Sequence, residues 1–407
     1  MPDVSVLSIK LHGATVGSLT RLPGDRTLFS FTEDYVADAN RPALGLGFKD
    51  EFGQLITDFS VRQTRLLPYF SNMLPEGHLR DYLAQRAGVK PEREFHLLAA
   101  LGCDLPGALT VEADSGDAWP PADEENDSAA DRERKRENAL RFSLAGVQLK
   151  LSAVCDGQAN KGLTIPVSGI GGSWIIKLPS LRFEGVPENE FAMMALARLV
   201  GIDVPEIDLV DVDAIENLPD GIGDLTGQAF AIERFDRSPE GSIHTEDFAQ
   251  VFGVYPERKY DNASYRNIAK VLGIETGEDG VAEFIRRLTF CVLTGNADMH
   301  LKNWSLIYLD TRTPSLAPAY DLVSTVPYIV DEEVALKFGR SKRFDGFTFD
   351  ELSYLAGKAG LPQKPVLDTA KETAARFREV WAAEKNNLPQ RRKVTERIDA
   401  HLKTLRI

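Results

Sequence analysis

An aspartate and an asparagine five positions apart stand in Gly295-Asn296-Ala297-Asp298-Met299-His300-Leu301-Lys302-Asn303, after an apolar helical run and before the strand-like Trp304-Ser305-Leu306-Ile307-Tyr308. On one tight loop such a pair can share a site, the carboxylate orienting a hydroxyl nucleophile while the amide oxygen binds a metal. Phosphoryl transfer requires that division of labour. Eighteen residues after Asn303, across a hairpin-like stretch, comes Ala319-Tyr320-Asp321-Leu322-Val323-Ser324. A hairpin returning to its origin brings the Asp321 carboxylate beside Asn303 and supplies the hard oxygen that Mg²⁺ prefers. Each residue also has a plain structural role open to it: Asp298 as a turn cap, Asn303 in a left-handed position, Asp321 as a helix cap. Their joint occurrence, with His300 and Lys302 inside the same loop, weighs against three separate coincidences.

Three further segments belong with this loop. Trp174-Ile175-Ile176-Lys177-Leu178-Pro179 ends an apolar strand on a lysine, a cation that needs solvent, a carboxylate or a phosphate. Glu190, on the next helical run, is an available carboxylate, and a strand lysine reaching the surface is the plain alternative. Glu233-Arg234-Phe235-Asp236-Arg237 closes the last strand of the same region. A connecting strand there can offer backbone groups to a purine edge, although an ordinary salt-bridged strand end fits the residues equally well. Ser143-Leu144-Ala145-Gly146-Val147-Gln148-Leu149-Lys150 is too poor in glycine for a Walker loop, and its interest lies in its place upstream of the strand lysine.

The 407 residues (45.0 kDa) exceed one ordinary domain, and 43% hydrophobic with 27% charged residues is a globular composition. With 47 Lys plus Arg against 61 Asp plus Glu, the formal net charge is -14, which argues against nucleic-acid binding by the surface at large. Three scattered cysteines, Cys103, Cys155 and Cys291, fit neither a disulfide framework nor a metal-binding pair, so a reducing cytoplasm is expected. The N-terminus lacks the pattern of an export signal, and no apolar run approaches the ~20 residues that span a bilayer.

Periodicity divides the chain into four parts. Residues 1–111 read as an α+β unit: alternation from Val4 turns at His12-Gly13, and short helices follow between Leu66 and Leu101. Residues 112–140 read as an acidic linker or surface loop, with eight acids between Glu112 and Asp131 before the basic run Arg132-Glu133-Arg134-Lys135-Arg136. Residues 141–245 read as a β-rich lobe with strands near 149–151, 174–178 and 228–235 and one helix over about 189–200, stopped by Gly201. Residues 246–407 read as a mostly helical lobe, clearest over 281–293, 349–357 and 365–385. The basic stretch Arg391-Arg392-Lys393 with Arg397, Lys403 and Arg406 reads first as a solvated helix face.

Taken in order, the 142–150 loop, Ile175-Ile176-Lys177-Leu178-Pro179, Glu233-Arg234-Phe235-Asp236-Arg237, the 296–303 loop and Tyr320-Asp321-Leu322-Val323-Ser324 resemble the HipA family of toxin kinases. The likeness covers nearly the whole chain, including Asn72-Met73-Leu74-Pro75-Glu76-Gly77, and the Asp-x-His-x-Lys-Asn loop is its most specific element. It implies a two-lobed, protein-kinase-like α+β fold: an extra N-terminal subdomain, a mixed α/β ATP-binding lobe and a mostly helical catalytic lobe. It further implies a serine/threonine protein kinase using ATP and Mg²⁺. Asp298 would be the catalytic base, Asn303 and Asp321 the metal ligands, and Lys177 the phosphate lysine. Ala145, Gly146, Val147, Gln148 and Lys150 would cover the phosphates, Glu233 and Phe235 would offer backbone to adenine, and His300 and Lys302 would line the nucleotide site. Ser143 would be autophosphorylated. At Leu149 the loop departs from the more polar residue expected there. The implied partners are a HipB-like helix-turn-helix antitoxin, DNA mainly through that antitoxin, and a protein substrate of which aminoacyl-tRNA synthetases are the best-known examples; no membrane is involved. The same carboxylate and metal arrangement could serve a small-molecule phosphotransferase, and a non-catalytic corepressor bound to an antitoxin is the reading from another class.

Overall fold

The computed structural model describes residues 5–86, 88–114, 150–155, 163–165, 172–180, 182–218, 225–329 and 333–407. The acidic 115–140 segment with its basic run, and Ser143 through Leu149, lie outside these residues.

The N-terminal unit is built on an antiparallel sheet in the spatial order Arg62–Gln63, Arg26–Phe31, Ala14–Leu22, Val6–Leu11, Leu109–Ala113. Leu11 faces Ala14 across His12 and Gly13, whose φ values of 50° and 80° make the tight turn that suits the sheet's twist. Leu7, Ile9 and Leu11 point to one face and are fully buried. Helices Pro68–Ser71, Gly77–Arg86 and Glu94–Leu101 complete the unit.

The β-rich lobe follows with strands ordered Ile215–Glu216, Leu163–Thr164, Lys150–Cys155, Trp174–Lys177, Gln228–Glu233, Ile207–Asp211. Its two faces belong to different cores. Leu151, Ala153, Ile176, Ala229 and Ala231 join the core of the N-terminal unit, while Phe230 and Ile232 join helix Val186–Val200 and the helical lobe. A sheet covered on both sides has no solvent face, which is why Gln228–Glu233 reads as a continuous apolar run. The alternation that turns Ile176 toward the N-terminal unit turns Lys177 the other way, and its cross-strand neighbour Lys150 with it. The helix begins at Val186, three residues before the sequence suggests, because Pro187 occupies the first turn where a missing N–H is harmless; it ends as expected at Gly201, with φ 92°.

The helical lobe contains Tyr265–Glu275, Gly277–Thr294, Phe349–Ala359, Gln363–Glu384 and Arg392–Leu402. The stretches that stand out by periodicity are the middle three, although the first and last are no less amphipathic. In Arg392–Leu402 the apolar stripe is Val394 and Ile398, both buried, continued by half-buried Leu402, with Lys393 and Arg397 exposed. Strands His244–Asp247, Ser305–Tyr308 and Ser315–Leu316 form a small sheet whose Leu306–Leu316 pairing is the expected hairpin after Asn303. Among the described residues no helix is long and apolar enough to cross a membrane.

Gly295 ends the Gly277–Thr294 helix at φ 70°, and a Cβ there would stand 2.7 Å from the methyls of Val326. Gly295→Ala is therefore expected to cost about 1–2 kcal/mol for the left-handed conformation alone, read as a lower denaturant midpoint than the parent chain.

Candidate active site

Lys177 is 4% exposed, and its ammonium donates to both Glu190 and Asp321. The strand supplies the lysine, the helix behind it supplies Glu190, and the return of the 305–316 hairpin supplies Asp321. Lys150 Nζ lies 3.4 Å from the second Asp321 oxygen, so two ammonium groups and two carboxylates close a locally neutral group. Burial alone would raise the Asp321 carboxyl; Lys150 and Lys177 outweigh it and hold the group ionised, far below the usual carboxylate range. Burial likewise pulls against Lys177, whose two carboxylate partners keep it above the ordinary lysine value. Asp321 has φ 54°, a conformation uncommon for a non-glycine residue. Three residues on, the Ser324 carbonyl accepts from Asn189 Nδ2 at 2.8 Å, tying the Asp321 segment to the helix that carries Glu190.

Opposite stands the loop that leaves the Gly277–Thr294 helix. Asn296 Oδ1 accepts from the Asp298 amide at 3.0 Å, and Asn303 Nδ2 donates to the Asp298 carbonyl at 2.8 Å, so the loop is bonded to itself at both ends. Tyr260 Oη donates to Asp298 Oδ1 at 2.6 Å and fixes that carboxylate. Burial raises the Asp298 carboxyl above its ordinary value, with the Tyr260 hydrogen bond and Lys259 opposing. His300, 6% exposed, packs edge-on against Tyr260 with ring centres 5.1 Å apart. Burial drops its pKa to about 3, so the ring is neutral.

These groups face one cleft of about 410 Å³. Lys150, Lys177 and Asp321 line one wall; Asp298, His300, Lys302 and Asn303 line another; Glu233 and Phe235 line the strip between the lobes. Ser143, Ala145, Gly146, Val147 and Gln148 lie outside the described residues. The Glu233 amide donates to the Glu206 carbonyl at 2.8 Å, and the Phe235 ring packs on Tyr320.

Several participants are not assigned to the site by the sequence. Tyr260 and Lys259 precede the first helix of the helical lobe in an unpatterned stretch. Glu76, from the N-terminal unit, sits 2.7 Å from Lys302 and 2.9 Å from Lys259. Burial would raise its carboxyl, yet the two lysines bring it down to about 2. Lys302 also donates to the Asn72 carbonyl at 2.9 Å, so its ammonium is engaged by the N-terminal unit. At the strip between the lobes, Arg234 and Arg237 meet Asp104 at 3.3 and 2.9 Å, and Asp236 accepts from the Gly107 amide at 2.8 Å.

Residues 142–381 match the HipA-like C-terminal domain and residues 7–112 the HipA N-terminal domain. A Sinorhizobium fredii protein bearing the name kinase Y4dM is 59% identical over all of this chain and 98% of its own length. The chain belongs to the HipA family. A serine/threonine-protein kinase toxin HipA of Shewanella oneidensis is 25% identical, with 99% of this chain and 95% of the other covered. A solved Shewanella oneidensis HipA, in complex with HipB and operator DNA, superposes with a TM-score of 0.72 at 22% identity over 98% of this chain and 96% of that one. The HipA likeness establishes the two-lobed, kinase-like α+β fold, and the kinase names of the relatives place the chain among kinases.

Tyr260→Phe removes a hydrogen bond that lowers the Asp298 pKa. Any phosphoryl transfer that needs ionised Asp298 should then lose its acid limb at a higher pH than in the parent chain, measured as kcat/KM against pH.

Proposed function

We propose that the chain transfers the γ-phosphoryl group of ATP to serine or threonine on a protein, with Asp298 as the base. The observation that carries this reading is the convergence of Lys177, Asp298, Asn303 and Asp321 on one cleft, with the Lys177 ammonium already on a carboxylate that could hold a metal. The donor set fits Mg²⁺. Asp321 is kept ionised, and Asn303 spends its amide nitrogen on the Asp298 carbonyl, which leaves its oxygen as the ligand end. Among the described residues no three His, Cys, Asp or Glu side chains form a metal cage, so phosphate oxygens and water would complete the coordination. When bound, the ion would offset the charge on the transferring phosphate.

The side chains divide the work. Asp298, oriented by Tyr260 and raised by burial, accepts the hydroxyl proton. Lys177 binds phosphate oxygens, with Glu190 holding it in place, and Lys150 adds a second cation on the same face. Glu233 and Phe235 offer backbone to adenine, and the 143–148 loop covers the phosphates with Ser143 as the autophosphorylation site. The structural likeness to a HipA solved with HipB and DNA supports a HipB-like helix-turn-helix antitoxin as partner, reaching DNA through it. An aminoacyl-tRNA synthetase is the substrate class that family likeness favours.

Purified chain with Mg-ATP should incorporate phosphate on protein, and Asp298→Asn should lower the rate ~10²–10⁴-fold; equal labelling in both would remove Asp298 from the role. Lys177→Met should abolish labelling and also destabilise the fold by about 3–5 kcal/mol, because it strands Glu190 and Asp321 with Lys150 as their one remaining cation. Chemical denaturation of the variant measures that loss. ATP binding without turnover would instead favour a binding protein.

A further inference from the structure

Glu76 belongs to the N-terminal unit and lines the same cleft, and its carboxylate meets two lysines that lie next to the groups holding Asp298. Its two partners come from separate segments of the helical lobe. Lys302 lies between Asp298 and Asn303 in sequence; Lys259 immediately precedes Tyr260, whose hydroxyl fixes Asp298. The Lys259 carbonyl also accepts from the Leu301 amide at 3.2 Å, so the two lysine-bearing segments are already joined and one carboxylate pins both. The turn that presents Glu76 is anchored in its place: Asn72 Nδ2 donates to the Val254 carbonyl at 2.7 Å and to the Pro68 carbonyl at 2.8 Å. The Glu76 side chain is 13% exposed and those of Lys259 and Lys302 are 9% and 8% exposed, so the three charges are largely withdrawn from water where they line the cleft. Asp247 and His300 also face this group, the first as a capping residue and the second as a neutral ring.

We propose that Glu76 is a positioning residue for phosphoryl transfer, a carboxylate lent by the N-terminal unit that sets the geometry of the Asp298–Asn303 loop. This rests on the kinase reading above. The consequence differs from that of an ordinary buried ion pair. Without the Glu76 charge, Lys259 and Lys302 lose the carboxylate that pins both and keep Asp298 and Asp247 as their acidic neighbours in the cleft, where an anionic nucleotide is a further partner. ATP binding is therefore kept while the loop is displaced, and displacement by about 1 Å is enough to cost ~10²-fold in rate.

The test compares the full chain with Glu76→Gln, Glu76→Asp, Lys302→Met and the Glu76→Gln/Lys302→Met double variant, by steady-state phosphate transfer at varied Mg-ATP, with a thermal melt of each. Glu76→Gln is expected to lower kcat ~10–100-fold with KM for ATP unchanged or lower, Glu76→Asp to recover ~10-fold of that loss, and the double variant to be no worse than the more impaired single. Lys302→Met carries the test should Glu76→Gln fail to fold. A folded variant with parental kcat, a rise in KM at parental kcat, or additive losses in the double variant would each overturn the inference while leaving the kinase reading in place. A parent chain that transfers no phosphate would remove both.

Discussion

The Lys177 ammonium is buried between a carboxylate from the helix of its own lobe and one delivered by the segment that follows the 305–316 hairpin. Taking such charges out of water costs several kcal/mol per ion unless partners meet them with good geometry. That demand organises the site: the strand must end where it does, the Val186–Val200 helix must lie behind it, and the hairpin after Asn303 must return to deliver Asp321. The same balance tells what nucleotide binding entails. On the proposed reading, Lys150 and Lys177 would hold phosphate oxygens and Asp321 would hold the metal, so that each charge of the group would keep a partner.

The N-terminal unit is part of this machinery rather than an appendage. Its core is continuous with one face of the nucleotide-lobe sheet, so Leu151, Ile176, Ala229 and Ala231 would be exposed without it. It then reaches the cleft twice, through Glu76 at the catalytic loop and through the Asp104–Gly107 turn at the strip between the lobes. The first hundred residues accordingly share both a core and ion pairs with the site.

Much of this was legible in the residues. The alternation around Leu7, Ile9 and Leu11, the His12-Gly13 turn, the helix stopped by Gly201 and the hairpin between Asn303 and Asp321 follow from local periodicity and turn chemistry. So does the pairing of Lys177 with Glu190, since a buried cation needs an anion and that glutamate was the near one. What stayed hidden depends on contacts between distant segments. Nothing near Glu76 announces that it meets residues 259 and 302, nothing near Tyr260 announces Asp298, and the Ala–Phe alternation of Gln228–Glu233 makes sense only once both faces of its sheet are known to be covered. Proline or acids of the first turn, as at Val186 and Gly277, extend a helix beyond the start that its apolar stripe marks.

The guanidinium bonds around Asp104 and Asp236 bear on how the cleft breathes. A strip that joins two lobes ordinarily serves as their pivot, but here two arginines and a backbone amide tie it to the N-terminal unit. The strip is thereby a braced spine between the two walls. For any flat heteroaromatic compound seated against Glu233 and Phe235, that spine is a preformed shelf, and its affinity would be little taxed by rearrangement of the protein.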